Sequence, residues 1–169
     1  SCAIPYICGE FAFNILMINL ETLCRQVIDL TKISGIFIRE ERIKFTSEAI
    51  EYKGKNDMVS YVDKTAEQQW VSGLQKPLPD SGFITEEKTN NKQGETYNWL
   101  IDPLDGTTNF IHGIPCFCIS IALMQDKELV MGVVYEINMD ECFYAWKGSK
   151  AFLNEKEIVV SNNDTLSKS

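Results

Sequence analysis

The chain has one histidine in 169 residues, His112, so a metal centre built on several imidazoles is excluded. His112 itself is expected to be a structural residue near a helix end. No apolar run reaches the roughly 20 residues that a membrane-spanning helix needs. Six cysteines, at positions 2, 8, 24, 116, 118 and 142, form no C-x-x-C pair and no zinc spacing. They are expected to be buried thiols of a reducing, cytoplasmic compartment, with Cys116 and Cys118 on one face of a strand. The first sixteen residues hold no Lys or Arg, which removes the basic region of a secretory signal. Basic residues are also in deficit, 16 against 24 acidic ones, for a net charge of −8. With no basic stripe, binding to a nucleic-acid backbone is not expected. Acid in excess either keeps a surface soluble or gathers cations.

What is there suits one soluble core: 44% hydrophobic and 24% charged residues in a chain of ordinary domain length. From residue 20 to about 43, Leu20, Leu23, Val27, Leu30, Phe37 and Ile38 recur at helical spacing. Asn19 can cap this helix and Glu21 suits its dipole, although Thr22 stands where a capping box has Glu or Gln. The natural chain is expected to start at Met17, with residues 1–16 a non-native or upstream extension. A weaker strand or loop covers 49–55, with a turn at Gly54. The spacing predicts a second helix from about 64 to 74, with Asp63 at its start and Pro77 and Pro79 closing it. A short strand at 81–85 ends in Glu86-Glu87, and a polar linker covers 88–95. A strand at 97–101 delivers Asp102, and a short helix spans 106–112. Strands follow at 117–124, 129–137, 142–146 and 151–160, with a turn at Asn154-Glu155 inside the last. Helices first and a strand meander later predict an α+β fold, helices layered on a largely antiparallel sheet.

The stretch WLIDPLDGTTNF, residues 99–110, carries the chemistry. Asp102 and Asp105 end an apolar strand and suit a hard divalent cation, which takes carboxylate and carbonyl oxygens. Pro103 holds Asp102 extended and leaves the Leu104 carbonyl between the two acids as a third oxygen. Gly106 permits a tight turn and close approach of an anion to the backbone. If Thr107 and Thr108 begin a helix, their amides face that anion. Glu86 and Asp63 are further acids at element ends. An Asp-Gly pair is a common turn and Thr-Thr-Asn a common cap, so the fragments gain weight only from falling together in register.

DPLDGTTNF resembles the signature of the inositol monophosphatase family, Mg2+-dependent and lithium-sensitive phosphatases. KGKNDMVSYVDKTAE, FITEE, VMGVVYEI and CFYAWKGSKAFLNEKEIVVS resemble further segments of that family, so the similarity runs from about residue 17 to 161. The resemblance implies two or three Mg2+ ions. Glu86, Asp102 and the Leu104 carbonyl would hold the first, Asp102 and Asp105 the second, and Glu86 would share in a weaker third. It implies that the Gly106 and Thr107 amides hold the phosphate, and that Asp63 with the Thr107 hydroxyl orients and deprotonates the attacking water. The implied substrate is inositol 1-phosphate or a similar polyol phosphate. The implied assembly is a cytoplasmic homodimer with no membrane or nucleic-acid partner.

Other members of the superfamily act on 3′(2′),5′-bisphosphate nucleotides or on fructose 1,6-bisphosphate. DGTTNF rather than DGTKEF sets this chain on the inositol phosphatase side. Family members continue into a second α/β part with a Trp-Asp motif that completes the second metal site. Here Trp70, Trp99 and Trp146 are not followed by Asp. Residues 17–169 are therefore expected to be the N-terminal α+β part of a phosphatase, weakly active alone. A non-catalytic interaction module is the reading from another class.

Overall fold

The structure, a computed structural model, describes residues 18–45, 55–85 and 92–162, with backbone alone for 55–60. Helix α1 runs Leu20–Lys44, helix α2 Lys55–Leu74 and helix α3 Thr107–His112. Strands β1 (Gly82–Thr85), β2 (Tyr97–Asp105), β3 (Cys118–Gln125), β4 (Glu128–Glu136), β5 (Glu141–Trp146), β6 (Ala151–Leu153) and β7 (Lys156–Ile158) form one sheet in sequence order. β1 lies parallel to β2, and every other pair is antiparallel. The expected α+β class holds, with α1 and α2 packed together and against the sheet. Residues 1–17, the 49–54 segment, Glu86-Glu87 with the linker to 91, and the tail from 163 lie outside the described residues.

Helix α1 begins as its sequence predicts. The Asn19 side chain accepts a hydrogen bond from the Thr22 amide at 2.9 Å, so one orphan donor of the first turn is satisfied. Its inner face buries Leu23, Cys24, Val27, Ile28, Thr31, Ser34 and Ile38. The Thr31 hydroxyl donates back to Val27 O at 2.6 Å, which is how a polar side chain tolerates that face.

Helix α2 corrects one expectation. It begins at Lys55, nine residues before the predicted start, so Asp63 sits inside the helix rather than at its start. Val62, Ala66, Trp70 and Leu74, four apart, form one buried stripe, and Asp63, also buried, lies beside it. A start at residue 64 would have cut that stripe.

The sheet follows period-two burial. On β3, Ile119, Ile121 and Leu123 are buried, while Cys118, Ser120, Ala122 and Met124 are half-buried. Trp99 of β2 is fully buried, and its indole N–H donates to Ser81 Oγ at 3.0 Å, whose hydroxyl donates to Leu78 O at 2.7 Å. Each such buried large side chain contributes on the order of 2 kcal/mol of burial energy. The last predicted strand resolves into the β6–β7 hairpin, turning at Asn154 and Glu155, both with positive φ. Buried thiols are found at Cys24 and Cys142, whereas Cys116 is exposed ahead of β3 and Cys118 is half-buried on it; Cys2 and Cys8 lie outside the described residues.

β1 is protected on its outer edge. The Phe83 amide donates to Lys92 O at 2.8 Å, and the Asn98 side chain pairs with both the amide and the carbonyl of Gly94, at 2.9 and 3.0 Å. A side chain at Gly82 would strike Gly94 N, Asn98 Oδ1 and Lys92 O, whereas one at Gly132 would meet nothing within 4 Å. Gly82→Ala is therefore expected to lower unfolding free energy by about 1–3 kcal/mol, and Gly132→Ala to leave it level or raised; urea melts of the two variants check the contrast.

Burial pushes the Cys24 thiol from its ordinary 9.0 up to about 12, with nearby Cys142 adding to the rise. Below pH 9 both folded and unfolded chains keep that proton. Between roughly 9 and 12 only the unfolded chain loses it, so folding stability falls across that window. Urea midpoints taken at rising alkaline pH should decline, and Cys24→Ala should decline less steeply from its own lower starting point. Equal slopes for the two proteins would refute the linkage.

Candidate active site

The site is built at the end of β2. The strand was expected to stop at Ile101, but it continues to Asp105, because pairing with β3 resumes after an irregularity. Asp102 stands opposite Ser120 and Asp105 opposite Cys118, so three steps on β2 match two on β3. One extra residue is the mark of a β-bulge. Pro103 and Leu104, consecutive, are both buried there, where a regular strand would turn one of them outward.

The bulge decides which way the acids face. Residues three apart on a regular strand lie on opposite faces. Ser120 and Cys118 are two apart on β3 and share a face, and directly paired residues face the same way. Asp102 and Asp105 are thus brought to one face of the sheet, half-buried and exposed respectively. The Leu104 amide donates to Asp102 Oδ1 at 3.1 Å, an Asx turn that closes the bulge.

Gly106 follows with φ +93°, a left-handed conformation. A Cβ there would lie 3.0 Å from Cys116 O and 3.1 Å from Phe117 Cβ. Both backbone sign and space demand glycine. Helix α3 starts at once, its first intrahelical bond running from the Phe110 amide to Gly106 O at 3.0 Å. The amides ahead of it have no such partner within the helix. The Thr107 hydroxyl donates to Leu104 O at 3.0 Å. Its proton is committed to that carbonyl, and its remaining lone pairs are acceptors. The Asn109 amide nitrogen donates to Cys116 O at 2.7 Å and ties α3 to the chain entering β3.

Asp63 belongs to the neighbouring helix α2. It is buried on α2, and α2 packs on β2 and touches α3. Glu86 lies outside the described residues; it follows Thr85, the buried last residue of β1 beside β2. Among the described residues no three acidic, cysteine or histidine side chains converge on one point. Asp102, Asp105 and the Leu104 carbonyl all belong to one bulge and are hard oxygen donors, the type that Mg2+ takes. His112 is exposed at the end of α3, remote in kind from any ligand set.

Two neighbours were not legible in the sequence. The Cys118 thiol donates to Asp105 Oδ2 at 3.7 Å, and burial, then the charges of Asp105, Asp102 and Glu136, push it up to about 11. The odd spacing of Cys116 and Cys118 hinted at a shared face, but the contact depends on the bulged register. Arg42, from the end of α1, sits over the Phe110 ring of α3, and no local pattern announced it.

The chain belongs to the inositol monophosphatase family, whose model matches residues 19–169. An inositol monophosphatase of Dictyostelium discoideum is 39% identical over 155 residues, which cover 90% of this chain and 57% of that protein. A fructose-1,6-bisphosphatase/inositol-1-monophosphatase of Aquifex aeolicus is 38% identical over 146 residues, 84% of this chain and 55% of that one. The fold matches the crystal structure of the extragenic suppressor protein suhB from Bartonella henselae with a TM-score of 0.72 and 34% identity, covering 84% of this chain and 55% of that structure. The chain spans little more than half the length of these relatives.

Gly106→Ala is expected to cost about 1–3 kcal/mol through left-handed strain and the clash with the Cys116 carbonyl. Thermal melts against Gly148→Ala, whose φ is also positive but whose surroundings are open, isolate the clash from the strain.

Proposed function

We propose that this chain carries the first part of the active site of a Mg2+-dependent phosphomonoesterase acting on inositol 1-phosphate or a similar polyol phosphate. The observation that supports this best is the bulge at Pro103–Leu104, which sets Asp102 and Asp105 on one face just ahead of the Gly106 turn. Family membership points the same way.

In this reading Glu86, Asp102 and the Leu104 carbonyl hold one ion, Asp102 and Asp105 a second, and Glu86 shares in a weaker third. When bound, the ions supply positive charge to the attacking and leaving oxygens and make the attacking water more acidic. The chain's own work is placement. The Gly106 and Thr107 amides grip the phosphate oxygens. Thr107, its hydroxyl proton held by Leu104 O, offers its oxygen to the water. Asp63 takes the proton from that water as its oxygen bonds to phosphorus; the bond from phosphorus to the polyol oxygen breaks on the opposite side, and the departing alkoxide takes a proton from solvent. Phosphoryl transfer demands mostly alignment and charge neutralisation, so no covalent nucleophile is required of a chain with one histidine. A cytoplasmic homodimer and sensitivity to lithium belong to the same reading. A second substrate, fructose 1,6-bisphosphate, is favoured by the name of the Aquifex aeolicus relative.

The test is phosphate release, with and without Mg2+, by a protein that continues this chain to the length of its relatives. Inositol 1-phosphate should be hydrolysed only with Mg2+, and Asp102→Asn should abolish that turnover. Near-normal activity of the variant would refute the ligand assignment. No Mg2+-dependent release from inositol 1-phosphate, fructose 1,6-bisphosphate or a bisphosphate nucleotide would leave the non-catalytic module as the better account.

A further inference from the structure

Helix α3 has six residues, too few to hold its own shape or direction in water. Its only buried side chain is Phe110, which sits edge-on between Phe45 and Phe117 with ring centroids 5.5 and 5.4 Å away. Arg42 closes this cluster from the last turn of α1. Its Cζ lies 5.9 Å from the centroids of both Phe45 and Phe110. Its Nη1 donates to Phe45 O at 3.4 Å. Its Nη2 occupies the space in which a side chain at Gly113 would begin. Gly113 ends α3 in a left-handed conformation, its amide donating back to Phe110 O at 3.3 Å.

We propose that Arg42 is a positioning residue for the turn that carries Gly106 and Thr107: its guanidinium, set against Phe45, Phe110 and Gly113, fixes how α3 stands on the body. The inference rests on the reading of that turn as the phosphate grip. Three features make arginine specific here. A planar guanidinium can lie along two rings while donating to a carbonyl, which an ammonium cannot. A positive group beside the last turn of α3 also suits the helix dipole. Gly113 leaves the room that this placement uses. Phe110 is one turn from Thr107, so a shift of the ring moves the hydroxyl bonded to Leu104 O and the amides beside it.

The test measures inorganic phosphate affinity in the presence of Mg2+ for the unsubstituted chain and for Arg42→Lys, Arg42→Met and Gly106→Ala. Amide exchange at Phe110, Ile114 and Trp99 is followed in the same proteins. Both Arg42 variants should bind phosphate on the order of three- to tenfold more weakly. They should exchange faster at Phe110 and Ile114, whose amides bond to Gly106 O and Asn109 O, with Trp99 unchanged. Arg42→Lys should fail to rescue. Unaltered phosphate affinity and unaltered exchange in Arg42→Met would overturn the proposal alone. Full rescue by lysine would overturn the arginine-specific geometry. Absence of phosphate binding by the unsubstituted chain, or indifference to Gly106→Ala, would take down the reading of the turn and this inference with it.

Discussion

One extra residue in β2 decides which way the two acids near its end face. Without the bulge at Pro103–Leu104, the pleat would put Asp102 and Asp105 on opposite faces of the sheet, one toward the helices and one away. The mismatch of three steps on β2 against two on β3 restores them to a common face. Proline is suited to the position, since it removes an amide that the interrupted ladder has no use for. Leu104, turned inward and buried, anchors the bulge in the core, and its carbonyl accepts the Thr107 hydroxyl. Asp102 then closes the turn through its own carboxylate.

The other elements follow from holding that bulge still. The strands beside it are braced by Ile119, Ile121 and Trp99, all buried in the core. Its downstream side is braced by Gly106, whose left-handed turn lets α3 start within one residue of the strand. α3 is in turn tied by Asn109 to Cys116 O and by Phe110 to the aromatic cluster at the end of α1. α3 is thus held by both longer helices although neither contributes to the motif itself. The long amphipathic α1, which looks like simple packing, meets the Phe110 ring through its last turn.

What could be read from residue order alone was whatever depends on local pattern. The Asn19 cap, the stripe of α1, the alternation on β3 and the turn at Gly106 are all properties of neighbours in sequence, and each was legible. The start of α2 was not, because Met58, Val59, Tyr61 and Val62 resemble a strand as much as a helix when their partners are unknown. The extent of β2 was not legible either, since its last pair forms only after the bulge. Arg42 and the Cys118 thiol touch the site across 68 and 13 residues of chain, to Phe110 and Asp105, and no spacing rule reaches that far. Glu86 shows the reverse case: the FITEE pattern singled it out, while it falls outside the described residues.

The acids of the bulge share their face with a thiol. Burial first, and then the negative charges of Asp105, Asp102 and Glu136, push the Cys118 thiol up to about 11. Carboxylates that repel one another in the folded chain weaken it unless a cation or hydrogen-bond donors sit among them. Asp105 is exposed and Asp102 half-buried, so water screens their charges. The fold adds two donors of its own, the Leu104 amide to Asp102 and the Cys118 thiol to Asp105. A strand paired on both sides and built only for stability has no need to bring two acids to one face through a bulge. The local rules of sheet building give way at the one step of β2 where they would have kept those acids apart.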